Sequence, residues 1–215
     1  MDVDAPGRLR AALRDVVAPV LKSAGYRRSG QTWRRLNSLG DTSIVNVQMS
    51  AWNSAETARV YVNLAVVPAP WWDWTRLDLG IPDGKAPLEQ HGLYRDRLEP
   101  LETERARPDS WTCSDEESAQ EAVKDLVGRL TEHGLPLLDR LLDRDRMVEA
   151  VRRSDLGHLK SFPAVRHLAL VVMLSEVGGA EFDHACDELG RGGDVPAFQE
   201  RARRAIAWAR ERAAR

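Results

Sequence analysis

Two segments of alternating residue types place the strongest constraint on how this chain folds. Residues 42–50 and residues 59–67 each switch between an apolar and a more polar set at every step. A period of two is that of a β-strand, whose successive side chains point to opposite faces of a sheet. Both segments are therefore predicted to be half-buried antiparallel strands. Their apolar sides carry Val45, Val47, Met49, Val60, Val62, Leu64 and Val66.

Burial of both apolar sides restricts how the two strands can pair, because a slip of one residue turns a whole strand over. One allowed register pairs Asn46 with Asn63 and Gln48 with Tyr61 on the other face. Asparagine is depleted in strands, so this polar group in the middle of a sheet needs an explanation. Either the four side chains bond each other and the backbone beneath a covering loop, or they form the floor of a shallow groove. Asn46, Gln48, Tyr61 and Asn63 are therefore candidate ligand-binding residues.

Further elements are predicted around this pair of strands. Residues 9–21 have the spacing of an amphipathic helix, which Pro19 is expected to kink or restart and Gly25 to end. The Ser29-Gly30 pair predicts a hairpin turn. The remaining strands are predicted at residues 26–28, 32–36, 93–98 and 111–113.

Residues 68–107 show no clear period and are interrupted by prolines, so we expect a long, partly ordered connection there. Three tryptophans lie near its start, beside Pro68 and Pro70. They either anchor a protein partner, as exposed tryptophan does at binding hot spots, or fold back over the sheet. The candidate partner-binding residues are Trp71, Trp72 and Trp74.

The last part of the chain is predicted to be helical. Ser114 is expected to cap a helix, with Glu117 reaching back to complete a capping box. Gly134 is expected to end that helix and Pro136 to begin the next one. Residues 163–177 are apolar almost all round, which predicts a deeply buried helix. Two further helices follow, joined by glycine-rich turns.

Together these elements predict an α+β protein. An N-terminal helix precedes an antiparallel sheet of about four to six strands backed by helices, which is a common sheet size, and a C-terminal all-helical lobe follows. We expect residues 1–150 to form the α+β domain and residues 151–215 to form the helical lobe. The lobe is either separate or packed onto the first domain as one unit.

No motif predicts a catalytic, cofactor or metal site. Glu181 and His184 form one Glu-x-x-His element, whereas di-iron bundles use two. Cys186 is two residues from His184 and does not share its helical face. The glycines at 190–193 follow a helix rather than a strand, which predicts a turn and not a phosphate-binding loop. We therefore expect no metal, no cofactor and no catalytic residue.

The charge of the chain limits its partners. A formal net charge of -2 provides no overall attraction to nucleic acid or to an anionic membrane. The arginine-rich residues 201–215 are expected to be a solvated helix end, the alternative being contact with RNA or an acidic partner. No apolar run approaches the ~20 residues of a membrane span, and the acidic N-terminus is unlike a signal peptide. We expect a cytoplasmic protein without membrane or nucleic-acid contacts.

Several short motifs occur in the order found in one bacterial family. They are residues 20–26, 32–35, 45–50, 60–64, 94–98 and 134–136. Through them, residues 9–142 resemble the uncharacterised family known as domain of unknown function 4304. The resemblance implies the fold of this part of the chain. It implies no reaction, and no functional residue is carried over from it.

These observations favour a non-enzymatic binding or interaction module with an unidentified protein partner. The alternative is a small-molecule sensor or enzyme that uses the polar side of the sheet. A closed, concave pocket over Asn46, Gln48, Tyr61 and Asn63 favours the alternative, since small-molecule sites are concave. A flat or filled face favours partner binding.

Overall fold

The centre of the protein is an antiparallel sheet. The structure is a computed structural model that describes residues 4–101, 109–158, 164–192 and 195–215, and within them six strands form the sheet. The order is β1-β2-β3-β4-β5, and β6 also pairs with β4. The strands are β1 (Arg27–Ser29), β2 (Thr32–Leu36), β3 (Thr42–Met49), β4 (Ala58–Val67), β5 (Tyr94–Leu98) and β6 (Trp111–Cys113).

Helices precede and follow the sheet, which confirms the predicted α+β class. In the described part of the chain, no helix is both long and apolar enough to cross a membrane. The helices are α1 (Ala5–Ala12), α2 (Ala18–Ser23), α3 (Ala69–Leu79), α4 (Glu116–Arg129), α5 (Leu135–Leu141), α6 (Arg144–Arg152), α7 (Ala164–Met173), α8 (Ala180–Arg191) and α9 (Pro196–Ala213).

The register of β3 and β4 is the predicted one. Asn46 lies opposite Asn63 and Gln48 opposite Tyr61, so these four residues share one side of the sheet, here called the polar face. The other side, the apolar face, buries the valines and leucines of the same strands. The two sides differ less at the start of β3 and the end of β4, where residues of both faces are buried.

The N-terminal helix accommodates Pro19 through a π-helical turn. The turn Leu13–Val17 joins α1 to α2, and Pro19 then lies in the first turn of α2. A π-helical turn bonds each N–H to the carbonyl five residues earlier, as the Ala18 N–H does to the Leu13 carbonyl. Proline lacks this N–H and crowds the preceding turn, so a widened turn before it relieves both problems. Pro19 therefore restarts the helix, as predicted, and Gly25 ends it with a φ of +83°.

The same device joins α4 to α5, and here the prediction for Gly134 was wrong, whereas that for Pro136 is confirmed. The π-helical turn Leu130–Gly134 leads directly into α5, whose first turn contains Pro136. Gly134 has a helical φ of -63° and does not end the helix. A Cβ atom on Gly134 would lie 3.2 Å from Leu130 Cδ1 and 3.5 Å from Leu64 Cδ1. Glycine at this position lets the helix lie close to the apolar face.

The helix α4 begins one residue later than predicted. Its cap is Asp115, whose carboxylate accepts the N–H of Ser118 at 2.8 Å, while Ser118 Oγ accepts the N–H of Asp115 at 3.1 Å. Ser114 is therefore not the cap, and Glu117 does not complete the capping box. Aspartate caps a helix as well as serine does, so neighbouring candidates compete and the fold decides between them.

The predicted connection after β4 contains the helix α3, which the sequence prediction missed. Pro70 is tolerated in its first turn, and Gly80 ends it with a φ of +64°. Trp71, Trp74 and Thr75 lie on its buried side. The strand predicted near the end of this connection is confirmed as β5.

The last three helices pack against one another, and α7 also contacts α3 and α6. Residues Leu168 to Leu174 are buried, which confirms the predicted buried helix; its predicted first residue, Pro163, lies outside the described residues. The division into a domain ending at residue 150 and a separate lobe stays a prediction.

Three arginines of α9, Arg201, Arg204 and Arg212, pair with carboxylates elsewhere in the chain, which neither predicted alternative for residues 201–215 included. Arg201 and Arg204 each lie 2.7 Å from the carboxylate of Asp78 on α3. Arg212 contacts Asp73 at 3.1 Å and Glu176 at 2.5 Å. Because these partners are distant in the sequence, the spacing of the arginines alone did not reveal them.

Candidate functional site

The polar face brings together side chains from four strands. Thr32 of β2, Asn46 of β3, Asn63 of β4 and Arg97 of β5 are successive register partners and form one row across the sheet. Gln48 and Tyr61 form the neighbouring pair. Antiparallel partners on one face lie close enough for their side chains to bond. The four residues predicted from the sequence therefore lie together.

Hydrogen bonds run along this row. Asn46 Nδ2 donates to Thr32 Oγ1 at 3.2 Å, and Asn63 Nδ2 donates to Asn46 Oδ1 at 3.3 Å and to Gln48 Oε1 at 3.2 Å. Asn63 Oδ1 in turn accepts from Arg97 Nε at 3.0 Å. Asn63 is 3% exposed, and its three side-chain hydrogen bonds offset the cost of its burial. Three of the four predicted side chains, Asn46, Gln48 and Asn63, therefore bond each other.

Arg97 connects the row to Tyr61 and to Asp109. Its guanidinium lies 4.7 Å from the centroid of the Tyr61 ring, and its Nη1 donates to Asp109 at 3.0 Å. A guanidinium over an aromatic face is attracted by the ring quadrupole. Arg97 is therefore held on three sides, by Asn63, Tyr61 and Asp109.

Arg59 has a different environment on the same face. It lies two residues before Tyr61 on β4, opposite Thr112 of β6. No described residue forms an ion pair with its guanidinium, and its Nε atom is buried without a hydrogen-bond partner. A buried donor left unpaired costs about 1–3 kcal/mol. Arg59 thus carries an unsatisfied buried donor on this face.

The segment of residues 87–92 covers one end of the polar face, at Arg34, Ala65 and Arg95, and leaves the other end open. Arg34 Nε donates to the Pro87 carbonyl at 2.6 Å, and Arg95 pairs with Glu89 at 2.8 Å. Burial beneath this segment lowers the pKa of Arg34. Gly92 lies close to Ala65, a buried residue of the same face. The other end carries Gln48, which is exposed, and Tyr61 and Arg97, which are partly exposed.

The three tryptophans lie on α3 rather than in a loop, so that part of the prediction was wrong. Trp71 is 4% exposed and donates to the His91 carbonyl at 3.0 Å, while Trp74 is fully buried against Trp208 of α9. Trp72 is partly exposed and stacks on His91 at 5.1 Å. Burial of two of them within the chain favours the alternative that they fold back. Partner binding through these residues stays a hypothesis.

The sequence analysis did not identify two residues of the site, Arg59 and Arg97. Both fall at polar positions of their strands, and that alternation was the available signal. An arginine at a polar strand position is common on any solvated face, however, because its charged end reaches water. The contact of Arg97 with Asn63 and Tyr61 depends on the pairing of β4 with β5, whose segments are separated by α3 and its following loop.

The polar face offers hydrogen-bond donors and acceptors. Among them, no three His, Cys, Asp or Glu side chains lie close enough together to hold a metal ion. Both cysteines are free and buried, and burial raises the pKa of the Cys113 and Cys186 thiols. A protonated, inaccessible thiol is a poor nucleophile. The chemistry that the polar face supports is recognition by hydrogen bonds and by arginine.

The fold and the polar face together define a class of protein. It is an α+β protein in which helices pack on one side of the sheet and hydrogen-bonded polar side chains lie on the other. The chain belongs to the family described as Domain of unknown function (DUF4304), which it matches over residues 17–140. The match lies inside the predicted range of 9–142 and covers the whole sheet and α2 to most of α5. The helices α7 to α9 follow it. Neither a curated protein nor a solved structure matches the chain.

Proposed function

We propose that this protein is a non-enzymatic binding module that holds a protein partner on the open end of its polar face. The open end consists of Gln48, Arg59, Tyr61 and Arg97. The observation that carries the proposal is Arg59, whose guanidinium has no ion-pair partner in the described chain and whose Nε is buried and unbonded. Arg59 as a whole is partly exposed, so an acceptor on the partner would bond the accessible end of its guanidinium.

The chemistry of the open end favours an acidic partner segment. Two arginines lie on it, and Asp109 is the carboxylate that pairs with one of them. Arginine and tyrosine are the side chains most often found at binding hot spots, together with tryptophan. Arginine also bonds carboxylates in a bidentate geometry. We therefore propose that an Asp or Glu of the partner bonds Arg59 beside the Tyr61 ring.

A small-molecule sensor or enzyme is the alternative proposal for the same face. Such sites need a concave, mostly apolar cavity. On the polar face, Asn46, Gln48 and Asn63 instead bond each other and fill the space where such a cavity would lie. This filling supports partner binding over the alternative. We further propose a bacterial cytoplasm as the setting, where the two buried free thiols would remain reduced.

The test compares wild-type protein with Arg59→Glu in affinity capture from a nuclease-treated lysate of the natural host. Arg203→Glu is the matched control, because Arg203 is an exposed arginine of α9 that pairs with its neighbour Glu200. We expect one protein to be retained by the wild type and by the control and lost from Arg59→Glu. Its affinity for Arg59→Glu should fall at least about 30-fold, the effect of losing a hot spot of about 2 kcal/mol. A partner retained equally by all three would refute the proposed site.

A further inference from the structure

A second cleft lies on the opposite side of the sheet from the polar face. It has a volume of about 290 Å³ and is enclosed between the N-terminal helical run and the ends of β1 to β3. Val47 and Met49 line it, and these residues alternate with Gln48 along β3, so the cleft and the open end of the polar face are on different faces. A ligand in this cleft would not touch the proposed partner site.

The inner wall of the cleft is apolar. Trp33 is 4% exposed, Val17 is 2% exposed, and both line the cleft with Leu13 and Met49. Water gains few hydrogen bonds from such a wall, so an apolar group would displace it favourably. The wall therefore suits a short hydrocarbon chain.

The mouth of the cleft is cationic. Arg10, Arg14 and Arg28 line it, and all three are exposed. Asp15 pairs with Arg14 at 2.7 Å, whereas no described carboxylate pairs with Arg10 or Arg28. The guanidinium of Arg28 lies 5.7 Å from the Trp33 ring centroid, and its Nε donates to the Gly30 carbonyl at 2.8 Å. These contacts hold Arg28 at the border between the apolar wall and the solvent.

Three like charges around one opening repel one another, and arginines four residues apart on a helix destabilise it slightly. An anion at the mouth would reverse the sign of this interaction. The π-helical turn Leu13–Val17 supplies three of the lining residues, Leu13, Arg14 and Val17. π-Helical turns occur frequently at functional sites because they displace side chains from the regular helical positions.

We propose that this cleft binds a small amphipathic carboxylate, with its hydrocarbon chain against Trp33 and Met49 and its carboxylate at Arg28 and Arg10. The apolar wall and the cationic mouth together select for both halves of such a molecule. A neutral molecule of the same shape loses the bond to arginine, and a short anion without a chain loses the apolar contact.

Isothermal titration calorimetry with octanoate tests this proposal on the full chain. We expect saturable binding of octanoate and at least about tenfold weaker binding of octanamide, which has the same shape and no charge. Arg28→Gln and Arg10→Gln should each weaken octanoate binding about tenfold, because each removes a charge-assisted hydrogen bond to the carboxylate. The control Arg203→Gln, an exposed arginine remote from the cleft, should bind octanoate like the wild type. The melting temperatures of all variants should match, because each substituted arginine is exposed.

Three results would overturn the proposal. The first is absence of saturable octanoate binding to the wild type. The second is equal affinity for octanamide, which would remove the role of the arginines. The third is binding of an Asp/Glu-rich peptide, sensitive to Arg28→Gln, by a protein that does not bind octanoate. That last result would assign the cleft to a protein partner.

Discussion

Asn63 is the residue on which the order of the polar face depends. It is 3% exposed and bonds Asn46, Gln48 and Arg97, which come from two other strands. Its side chain therefore fixes the position of an arginine that is itself partly exposed. A buried amide of this kind stabilises the fold only while every partner is present, because each partner left unbonded pays its own desolvation cost.

Replacement of the asparagines measures this dependence. We expect Asn63→Ala to lower the free energy of unfolding by about 1–3 kcal/mol, since it strands buried bonding groups. Asn46→Ala should be milder, and the double variant should be less destabilised than the sum, with a coupling above about 0.5 kcal/mol. Urea unfolding of the four proteins gives these values. Gln31→Ala is the control and should change stability by less than about 0.5 kcal/mol, because Gln31 is exposed and its side chain is outside the network. Additive, near-neutral effects of the asparagines would contradict the bonded network.

Gly157 occupies a position that only glycine fits. Its φ is +79°, and a Cβ atom there would lie 2.1 Å from the Arg95 carbonyl oxygen on the edge strand β5. Gly157→Ala should therefore lower the free energy of unfolding by roughly 2 kcal/mol or more, from strain and from the clash. Gly178→Ala isolates the strain, because Gly178 has a φ of +66° and no atom near its added Cβ. Thermal unfolding should show a clearly larger loss for Gly157→Ala, and equal losses would argue against the close approach.

His158 links the loop after α6 to β5 in a pH-dependent way. Its Nδ1 lies 2.8 Å from Asp96 Oδ1, and this hydrogen bond, with the charge of Asp96, raises the pKa of His158. A raised pKa means that the folded state holds the proton more tightly than the unfolded state. The stabilisation is complete below the ordinary histidine pKa and is lost as the pH rises through the raised value.

The difference in unfolding free energy between wild type and His158→Ala should accordingly shrink as the pH is raised from 5 to 8. The side chain of His158 is 83% exposed, so we expect a difference below about 1 kcal/mol that decreases further in high salt. Urea unfolding at several pH values measures it. A difference that grows with pH would contradict the assigned ion pair.

The helix α7 is buried on most sides, and its amino-acid sequence reflects this. The residues from Leu168 to Leu174 are all buried, and its neighbours α3, α6, α8 and α9 cover it from several directions. A helix that packs on several partners needs apolar residues around most of its circumference. The sequence of α7 meets this requirement, whereas α4 and α8 keep one polar side.

A charge introduced into α7 should therefore prevent stable folding of the C-terminal helices. Leu170 is 6% exposed, so Leu170→Asp places a carboxylate in the apolar interior and should cost several kcal/mol, about 3 or more. Arg166→Asp adds the same side chain to an exposed position of the same helix and should cost much less. Circular dichroism melting compares the two. Equal melting temperatures for Leu170→Asp and the wild type would show that this helix face is not buried.

Across the whole molecule, a chain of ion pairs connects the loop before β3 with the last helices. Asp41, whose side chain is 2% exposed, contacts Arg144 at 3.1 Å, and Arg144 also contacts Glu176. Glu176 in turn contacts Arg212, which contacts Asp73 on α3. Asp41 additionally accepts the N–H of Ala69 at 2.8 Å, at the start of α3. The pairs therefore tie α3, α6 and α9 to the sheet loop.

Removal of Arg144 should be costly because it leaves Asp41 buried without its cation. We expect Arg144→Met to lower the free energy of unfolding by about 3 kcal/mol, toward the lower end for a broken buried pair, since Asp41 keeps the Ala69 N–H. Arg153→Met is the matched control beside the same helix; its pair with Glu149 is exposed and should contribute less than about 1 kcal/mol. Urea unfolding distinguishes the two. A loss of similar size for both variants would show that Asp41 does not depend on Arg144.

The sequence by itself determined the pairing of β3 with β4, the grouping of Asn46, Gln48, Tyr61 and Asn63, and the buried character of α7. Each of these follows from a period or an apolar pattern within one segment, which local geometry converts directly into a face or a stripe. The tertiary structure decided the helical state of the Trp71–Trp74 segment, the choice of Asp115 over Ser114 as a cap, and the pairing of the arginines in α9. It also decided that the guanidinium of Arg97 is hydrogen-bonded and that the Nε atom of Arg59 is not. These outcomes depend on contacts between residues far apart in the chain, and no local spacing specifies which distant partner will be present.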